Sequence, residues 1–319
     1  MAAAAYQFFD LKPPPADMLR EVLHGLTSEP KTIAPKYFYD ERGSALFEAI
    51  TRLPEYYLTR TELRLFDRCL GEVRDAIGAG GCVVEYGAGS SLKIRRLLEA
   101  VRPEAYLPVD ISQRHLERTA AALHADFPWL KVYPTCADLT EPLELPDVVA
   151  GFHKIGFYPG SSIGNFEPHE ARCFLGNVAV SLGAGAHLLI GVDRKKERAV
   201  LEAAYNDAAG VTSEFNLNVL NHLNDELNAD FNPGAFRHKA YYNERHGCIQ
   251  MFLESVEDQT VRLNGAAIEL ARGETIHTEN SYKYDLEEFK ALAAAGGFTC
   301  TAAWTDPDEY FALFLLQVE

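Results

Sequence analysis

From Cys82 to Val192 the chain switches between two hydrophobic periods. Short, nearly continuous apolar runs fall at 82–86, 105–110, 131–136, 153–158 and 186–192, and segments of helical spacing fall at 91–101, 113–125 and 167–181. Buried strands alternating with amphipathic helices predict a parallel sheet covered by helices on both faces. After Asp193 the alternation stops. Helices are expected over 197–208 and 214–228, and strands over 235–242, 247–256 and 260–270. The polar stretch 276–284 reads as a capping loop ahead of a helix over 286–295, with Asp285 as N-cap. Strands over 298–304 and 310–318 then close the sheet edge as a hairpin, with an antiparallel last strand.

Ahead of the sheet, residues 1–18 carry Pro13-Pro14-Pro15 and read as a surface arm, followed by a helix from Ala16 to about Leu26. Between Pro35 and Glu62 the chain is aromatic and broken by proline and glycine, with Tyr37, Phe38, Tyr39, Phe47, Tyr56 and Tyr57 close together. A helix from Thr61 to Gly71 leads into the sheet. This aromatic segment and the insertion at about 196–284 have apolar faces with no other partner, so they are expected to pack on each other as a second domain.

Ligands of parallel sheets bind beyond the carboxyl ends of the strands, which singles out the residues just past each run. After the first comes Glu85-Tyr86-Gly87-Ala88-Gly89-Ser90-Ser91, strand to tight turn to helix. Two glycines let a ligand lie against the backbone at a helix N-terminus. A third glycine, expected for a dinucleotide pyrophosphate, is replaced by Leu92. Glu85 favours a cation over a phosphate. Asp110, ending the next run, is placed to accept both hydroxyls of a ribose. Together these suit a nucleoside with a positive centre, such as S-adenosylmethionine (SAM). Asp138, followed by Leu139, either accepts from an adenine amino group or caps a turn. In Gly160-Ser161-Ser162-Ile163-Gly164-Asn165, Gly160 lets the loop approach a ligand backbone-first. Asn165 offers a donor and an acceptor to an amino acid's carboxylate and ammonium, or else caps the following helix.

Composition narrows the classes. The 319 residues hold one large or two ordinary domains, and 47% hydrophobic content supports a substantial core. A net charge of -16, with no basic patch beyond Lys195-Lys196-Glu197-Arg198, argues against nucleic acid. Six scattered cysteines without a C-x-x-C pair suggest a reducing, cytoplasmic setting and neither a zinc site nor a disulfide framework. Neither a signal peptide nor a membrane-spanning run is expected.

Several long motifs resemble the L-histidine Nα-methyltransferases of ergothioneine biosynthesis: Pro35–Asp40, Leu53–Glu62, Glu85–Ser90, Tyr158–Phe166 and Glu279–Tyr284. The likeness covers nearly the whole chain. It implies a Rossmann-like α/β methyltransferase sheet (62–195 and 285–319) and an α+β substrate-binding domain (1–61 and 196–284). It implies SAM as methyl donor and threefold methylation of the histidine α-amine to hercynine. Charge and hydropathy lead to the expectation of no nucleic-acid or membrane partner, and a monomer is expected. It places Tyr39 beside the amine, Asn165 on amine and carboxylate, Tyr56 and Tyr205 at the carboxylate end, and Glu279, Ser281 and Met251 around the imidazole, with Gly160 lining the substrate. Cofactor contacts are carried onto Glu85, Tyr86, Gly87, Gly89, Ser90, Ser91, Lys93, Asp110, Asp138 and Leu139. Some fungal members of the family methylate indole amino acids, and a carboxylate at Glu279 favours histidine because it accepts from an imidazole N–H.

The chemistry makes matching demands. Displacement at a sulfonium methyl needs alignment, worth up to about 7 to 11 kcal/mol in favourable cases. The attacking amine must lose its proton. No strong base neighbours Asn165, which leaves water as acceptor with assistance from Tyr39. Aromatic faces tolerate the growing quaternary cation. The alternatives are a SAM-dependent N-methyltransferase of another amino acid or biogenic amine, which would differ only around Met251, Glu279 and Ser281, and a SAM-binding protein without chemistry. A nicotinamide oxidoreductase lacks its third glycine and a hydride relay.

Overall fold

The computed structural model describes residues 6–11, 18–89, 91–139 and 141–319. In chain order the elements begin β1 (Phe9–Asp10), α1 (Met18–Thr27), β2 (Lys31–Thr32), α2 (Glu41–Ile50), α3 (Tyr57–Ile77), β3 (Cys82–Tyr86), α4 (Ser91–Val101), β4 (Ala105–Asp110) and α5 (Gln113–Asp126). They continue β5 (Lys131–Val132), β6 (Thr135–Cys136), β7 (Lys154–Tyr158), α6 (Pro168–Leu182), β8 (His187–Asp193), α7 (Arg198–Tyr205) and α8 (Val211–Leu227). The rest are β9 (Phe236–Asn243), β10 (Cys248–Ser255), β11 (Gln259–Leu263), β12 (Ala266–Leu270), β13 (Thr275–Tyr282), α9 (Leu286–Ala295), β14 (Phe298–Thr305) and β15 (Phe311–Val318). Two compact units result, with boundaries at Arg60/Thr61 inside α3, at Arg194/Lys195 and at Lys283/Tyr284.

The first unit is the α/β sheet, ordered β1-β6-β4-β3-β7-β8-β15-β14, with β5 also on β4. β3 lies centrally, parallel to β4 on one side (Val83↔Tyr106) and to β7 on the other (Val83↔Ile155). All five of its residues are buried, which is why its sequence reads as a continuous apolar run around one carboxylate. β15 pairs antiparallel with β8 and with β14. Two expectations change here. The run 131–136 is two short strands, because Tyr133-Pro134 interrupts it and proline has no N–H for the ladder. The segment expected as a surface arm instead adds a strand: the Phe9 N–H bonds the Pro134 carbonyl at 2.9 Å, and Phe8 packs on Ala88, Leu116 and Cys136. Residues 1–5 and 12–17 of that arm lie outside the described residues.

The second unit is built on a sheet ordered β2-β13-β10-β9. The stretch expected as a capping loop is β13, an interior strand paired with β10 on one edge and β2 on the other. Thr278, Asn280 and Ser281 are compatible with a buried strand because they meet hydrogen-bonding partners within the unit. The run 260–270 is a hairpin, β11–β12, with Asn264 (φ 46°) and Gly265 (φ 89°) as a two-residue turn of the left-handed type that an Asn-Gly pair favours. α7 stops at Tyr205, short of the expected 208, because Asp207 caps the next helix. Its carboxylate accepts from the Val211 and Thr212 N–H groups at 2.9 and 2.8 Å, so α8 starts at Val211. Against α8 the aromatic segment forms a ring cluster, with Phe38, Tyr39 and Phe47 all in contact with Phe215.

Candidate functional site

In the first unit the strand ends of β3, β4 and β7 carry the candidate nucleotide-binding residues. Gly87 has φ +70°, a conformation that penalises any Cβ, and a Cβ there would face Leu139 Cδ1 at 3.7 Å and Tyr158 Cε2 at 3.8 Å. The Gly87 and Ala88 N–H groups are tied to the Val109 carbonyl at 2.9 and 3.0 Å, which folds the turn over the end of β4. At that end Asp110 is half-buried, its Oδ1 accepting from the Ser112 N–H at 2.8 Å. Asp138 and Leu139 follow β6, and Asp138 borders a shallow cleft with Leu11 and Glu141. A bare glycine turn with carboxylates at neighbouring strand ends fits an adenosyl group bearing a cation.

Two of the expected cofactor residues have their side chains in the interior. Tyr86 is buried, its hydroxyl 2.7 Å from Ser181 Oγ and its ring edge-on to Phe174, so only its backbone is left for a ligand. Glu85 is also buried and accepts a hydrogen bond from the Tyr106 hydroxyl. Burial pushes its carboxyl up to about 8, against the pull of Tyr106 and of the Lys93 charge. Ser90 lies outside the described residues, and Ser91 opens α4. Gly89 follows in the turn, its N–H on the Gly87 carbonyl at 2.8 Å.

Lys93 on α4 forms an ion pair with Glu62, a residue of α3 that is 1% exposed. Glu62 also accepts the Gly160 N–H at 2.8 Å, so one buried carboxylate clamps the β7 loop and the helix that follows the glycine turn. Space for it exists because residue 191 is glycine: a Cβ there would sit 2.2 Å from Glu62 Oε1. The loop itself is held in two left-handed steps, Gly160 (φ 85°) and Ser161 (φ 59°), and Ser161 Oγ accepts the Asp193 N–H at 2.8 Å. Asn165 ends the 3₁₀ turn Ser162–Asn165. It does not cap α6. That position is Glu167, whose N–H bonds Glu170 Oε2 at 2.9 Å, which leaves the Asn165 amide for another purpose.

In the second unit β13 and β10 form one wall. Glu279 lies opposite Met251 and Ser281 opposite Ile249, and the strand alternation puts Glu279, Ser281 and Lys283 on one face. A bulge between Met251 and Phe252 in the register separates this face from the His277 side. Tyr205, at the end of α7, donates to Ser281 Oγ at 2.8 Å. Lys283 Nζ donates to Ser281 Oγ at 2.8 Å and to the Tyr205 hydroxyl at 3.1 Å. The ring of Tyr56 meets that of Tyr205 edge-on at 6.3 Å. His238 fixes the Tyr205 backbone, its Nε2 2.9 Å from the carbonyl and its Nδ1 2.9 Å from the Asn216 amide nitrogen. Glu279 is 7% exposed, and burial raises its carboxyl to about 7 against the Lys283 charge. Tyr39, at 40% exposure, follows the turn Pro35–Phe38, and next to it Asp40 caps α2 by accepting the Gly43 N–H at 2.6 Å.

Three contributors escaped the sequence reading: Glu62, Tyr106 and Lys283. Lys283 had a legible signal, since it continues the two-residue spacing of Glu279 and Ser281 once that stretch is taken as a strand. Glu62 had none, because its partners are 31 and 98 residues away.

Comparison with known proteins agrees with this chemistry. The chain is 41% identical over 303 residues to the histidine N-alpha-methyltransferase of Mycolicibacterium smegmatis and 37% identical over 302 residues to that of Mycobacterium tuberculosis, covering 93% of each chain in both pairs. It is 34% identical over 292 residues to ergothioneine biosynthesis protein 1 of Neurospora crassa, matching 88% of this chain and 32% of that longer protein. The family model described as histidine-specific methyltransferase, SAM-dependent, matches residues 18–318, and the chain belongs to that family.

Proposed function

We propose that this enzyme transfers methyl groups from SAM to the α-amine of L-histidine three times, giving hercynine, as the first step of ergothioneine biosynthesis. The observation that carries the substrate is the polar pair on β13. Ser281 Oγ accepts from both Tyr205 and Lys283, so its own proton remains to be donated, and Glu279 two residues away offers an acceptor. One donor beside one acceptor complements an imidazole ring, with its single N–H and single lone pair.

In this reading Gly87, Gly89, Ser90, Ser91, Lys93, Asp110, Asp138 and Leu139 hold the adenosyl donor, with the Tyr86 backbone, and Glu85 lies beneath them as a carboxyl that burial keeps protonated up to about pH 8. Asp110 takes the ribose. When bound, the sulfonium supplies the methyl group for an in-line displacement by nitrogen. Asn165 and Tyr39 are assigned to the amine, Tyr56 to the carboxylate end, Met251 to the flank of the imidazole and Gly160 to the substrate; Tyr205, its one O–H donated to Ser281, borders the carboxylate end without donating to it. No carboxylate base is assigned to the amine; its proton leaves to water past the Tyr39 hydroxyl. The exposed Tyr39 ring, supported edge-on by Phe47 and Phe215, offers a face to the cationic product.

The test is mass spectrometry of L-histidine incubated with enzyme and SAM. A gain of three methyl groups is expected; unchanged histidine beside methylation of another amine defeats the assignment. Asp110→Ala should abolish the SAM-induced rise in melting temperature, and an unchanged rise removes the ribose role.

A further inference from the structure

Lys283 is a lysine at 1% exposure, among the largest fully buried side chains of the protein. A buried ammonium is retained at considerable expense in hydration unless its donors and its charge are both answered. Two of its three donors are answered by hydroxyls, Ser281 Oγ at 2.8 Å and Tyr205 at 3.1 Å, and its charge lies over the Tyr205 ring at 5.0 Å from the centroid. Its charge also acts on Glu279, on the same strand face.

An ammonium only donates. With Lys283 and Tyr205 both donating to Ser281 Oγ, both lone pairs of that oxygen are engaged and its proton is forced outward. We infer that Lys283 is the positioning residue that sets the polarity of the ring pocket: it fixes Ser281 as a donor and supplies the counter-charge that keeps Glu279 an acceptor. The inference rests on the histidine reading above and deepens it, because it makes the pocket a one-donor, one-acceptor reader of an uncharged imidazole. An indole, with a donor and no acceptor, leaves the Ser281 proton unanswered.

Among the described residues, the one charge acting on Glu279 is that of Lys283. Lys283 shares its strand face, Tyr205 comes from α7, and β10 presents the uncharged Met251 and Ile249 across the pair. Lys283 is therefore the charge whose removal the carboxylate should feel most. Without it Glu279 keeps its proton to higher pH, by about one unit or more, and Ser281 is free to turn its proton inward.

The experiment uses the full-length enzyme with Lys283→Met, Glu279→Gln and the double variant. At saturating SAM, Lys283→Met should raise KM for histidine at least about tenfold with kcat changed less than about threefold, a loss in the range expected for a misplaced charged hydrogen bond. Its acid limb in histidine binding, measured with S-adenosylhomocysteine present, should move to higher pH, and the SAM-induced rise in melting temperature should persist. A parental KM and pH limb overturn the inference. So does a lower melting temperature with kcat and KM equally affected and the limb unmoved, which marks a merely structural lysine.

If Lys283→Met does not fold, Glu279→Gln/Lys283→Met should, because it no longer buries an unanswered carboxylate; a double variant equally insoluble overturns the inference as well. Melting temperatures of the three variants form a cycle read without substrate. Coupling in that cycle, with no methylation of histidine by the parent, would separate failure of the proposed function from failure of the Lys283 assignment.

Discussion

Two buried glutamates, one in each unit, look alike on paper and differ in what surrounds them. Glu85 and Glu279 both sit on interior strands, both are raised by burial, to about 8 and about 7, and both feel a lysine charge, Lys93 and Lys283. Glu85 is closed inside the protein: Tyr106 donates to it, and Lys93 is itself occupied by Glu62. Glu279 has no hydrogen bond among the influences on its carboxyl, only desolvation and the Lys283 charge. A buried acceptor without a donor is costly, and an arriving N–H recovers that cost. In the proposed function the first carboxylate underlies the nucleotide site and the second is left open for a ligand.

The contrast breaks most sharply through Glu62. Glu62→Ala leaves Lys93 without its buried partner and frees the Gly160 N–H, so unfolding in urea should show a loss of about 3 to 5 kcal/mol. A loss below about 1 kcal/mol would mean that the clamp contributes little.

Next, Glu279→Gln should lower kcat/KM for histidine by about 1.5 to 3 kcal/mol of transition-state binding, roughly 10- to 150-fold, while SAM affinity from calorimetry stays unchanged. Glu85→Gln should do the reverse, disturbing SAM binding more than the histidine pocket. Equal effects of the two variants on both ligands would erase the distinction drawn here. Tyr106→Phe removes the donor to Glu85 and should destabilise the protein by about 1 to 3 kcal/mol, measured by denaturant titration.

A pH trend follows from the same burial. In the fold Glu85 keeps its proton to about pH 8, whereas its ordinary value is 4.5. Between those values the folded state binds more protons than the unfolded one, so this group makes stability fall as pH rises. Glu85→Gln should therefore gain on the parent steadily across that window, as followed by melting temperature. Ligand-free Glu279 acts in the same direction from 4.5 to about 7. A parent whose stability advantage grows with pH contradicts both.

Several elements were legible because local pattern and tertiary role coincide. The helix at 91–101 and the strands at 82–86 and 105–110 match the structure residue for residue, since a fully buried parallel strand and an amphipathic helix each impose their period on the sequence. The stretch 276–284 was misread for the opposite reason. The side chains of β13 are mostly polar though buried, so the apolar alternation that announces a strand is missing. The Asn264-Gly265 turn was readable and passed over inside an otherwise continuous strand pattern. Asn165 was ambiguous on local grounds, and Glu167 taking the cap removes the capping reading.

By itself the sequence determined the α/β alternation, the glycine turn at the end of β3 and the acids at the neighbouring strand ends, because all of these are written in residues close along the chain. Only the tertiary structure decided which charges are closed and which stay open. That Glu62 clamps Gly160, that Tyr106 satisfies Glu85 and that Lys283 turns the Ser281 proton outward depend on partners brought together by folding. The reason is physical: burial and hydrogen-bond satisfaction belong to surroundings, and surroundings exist only once distant segments have met.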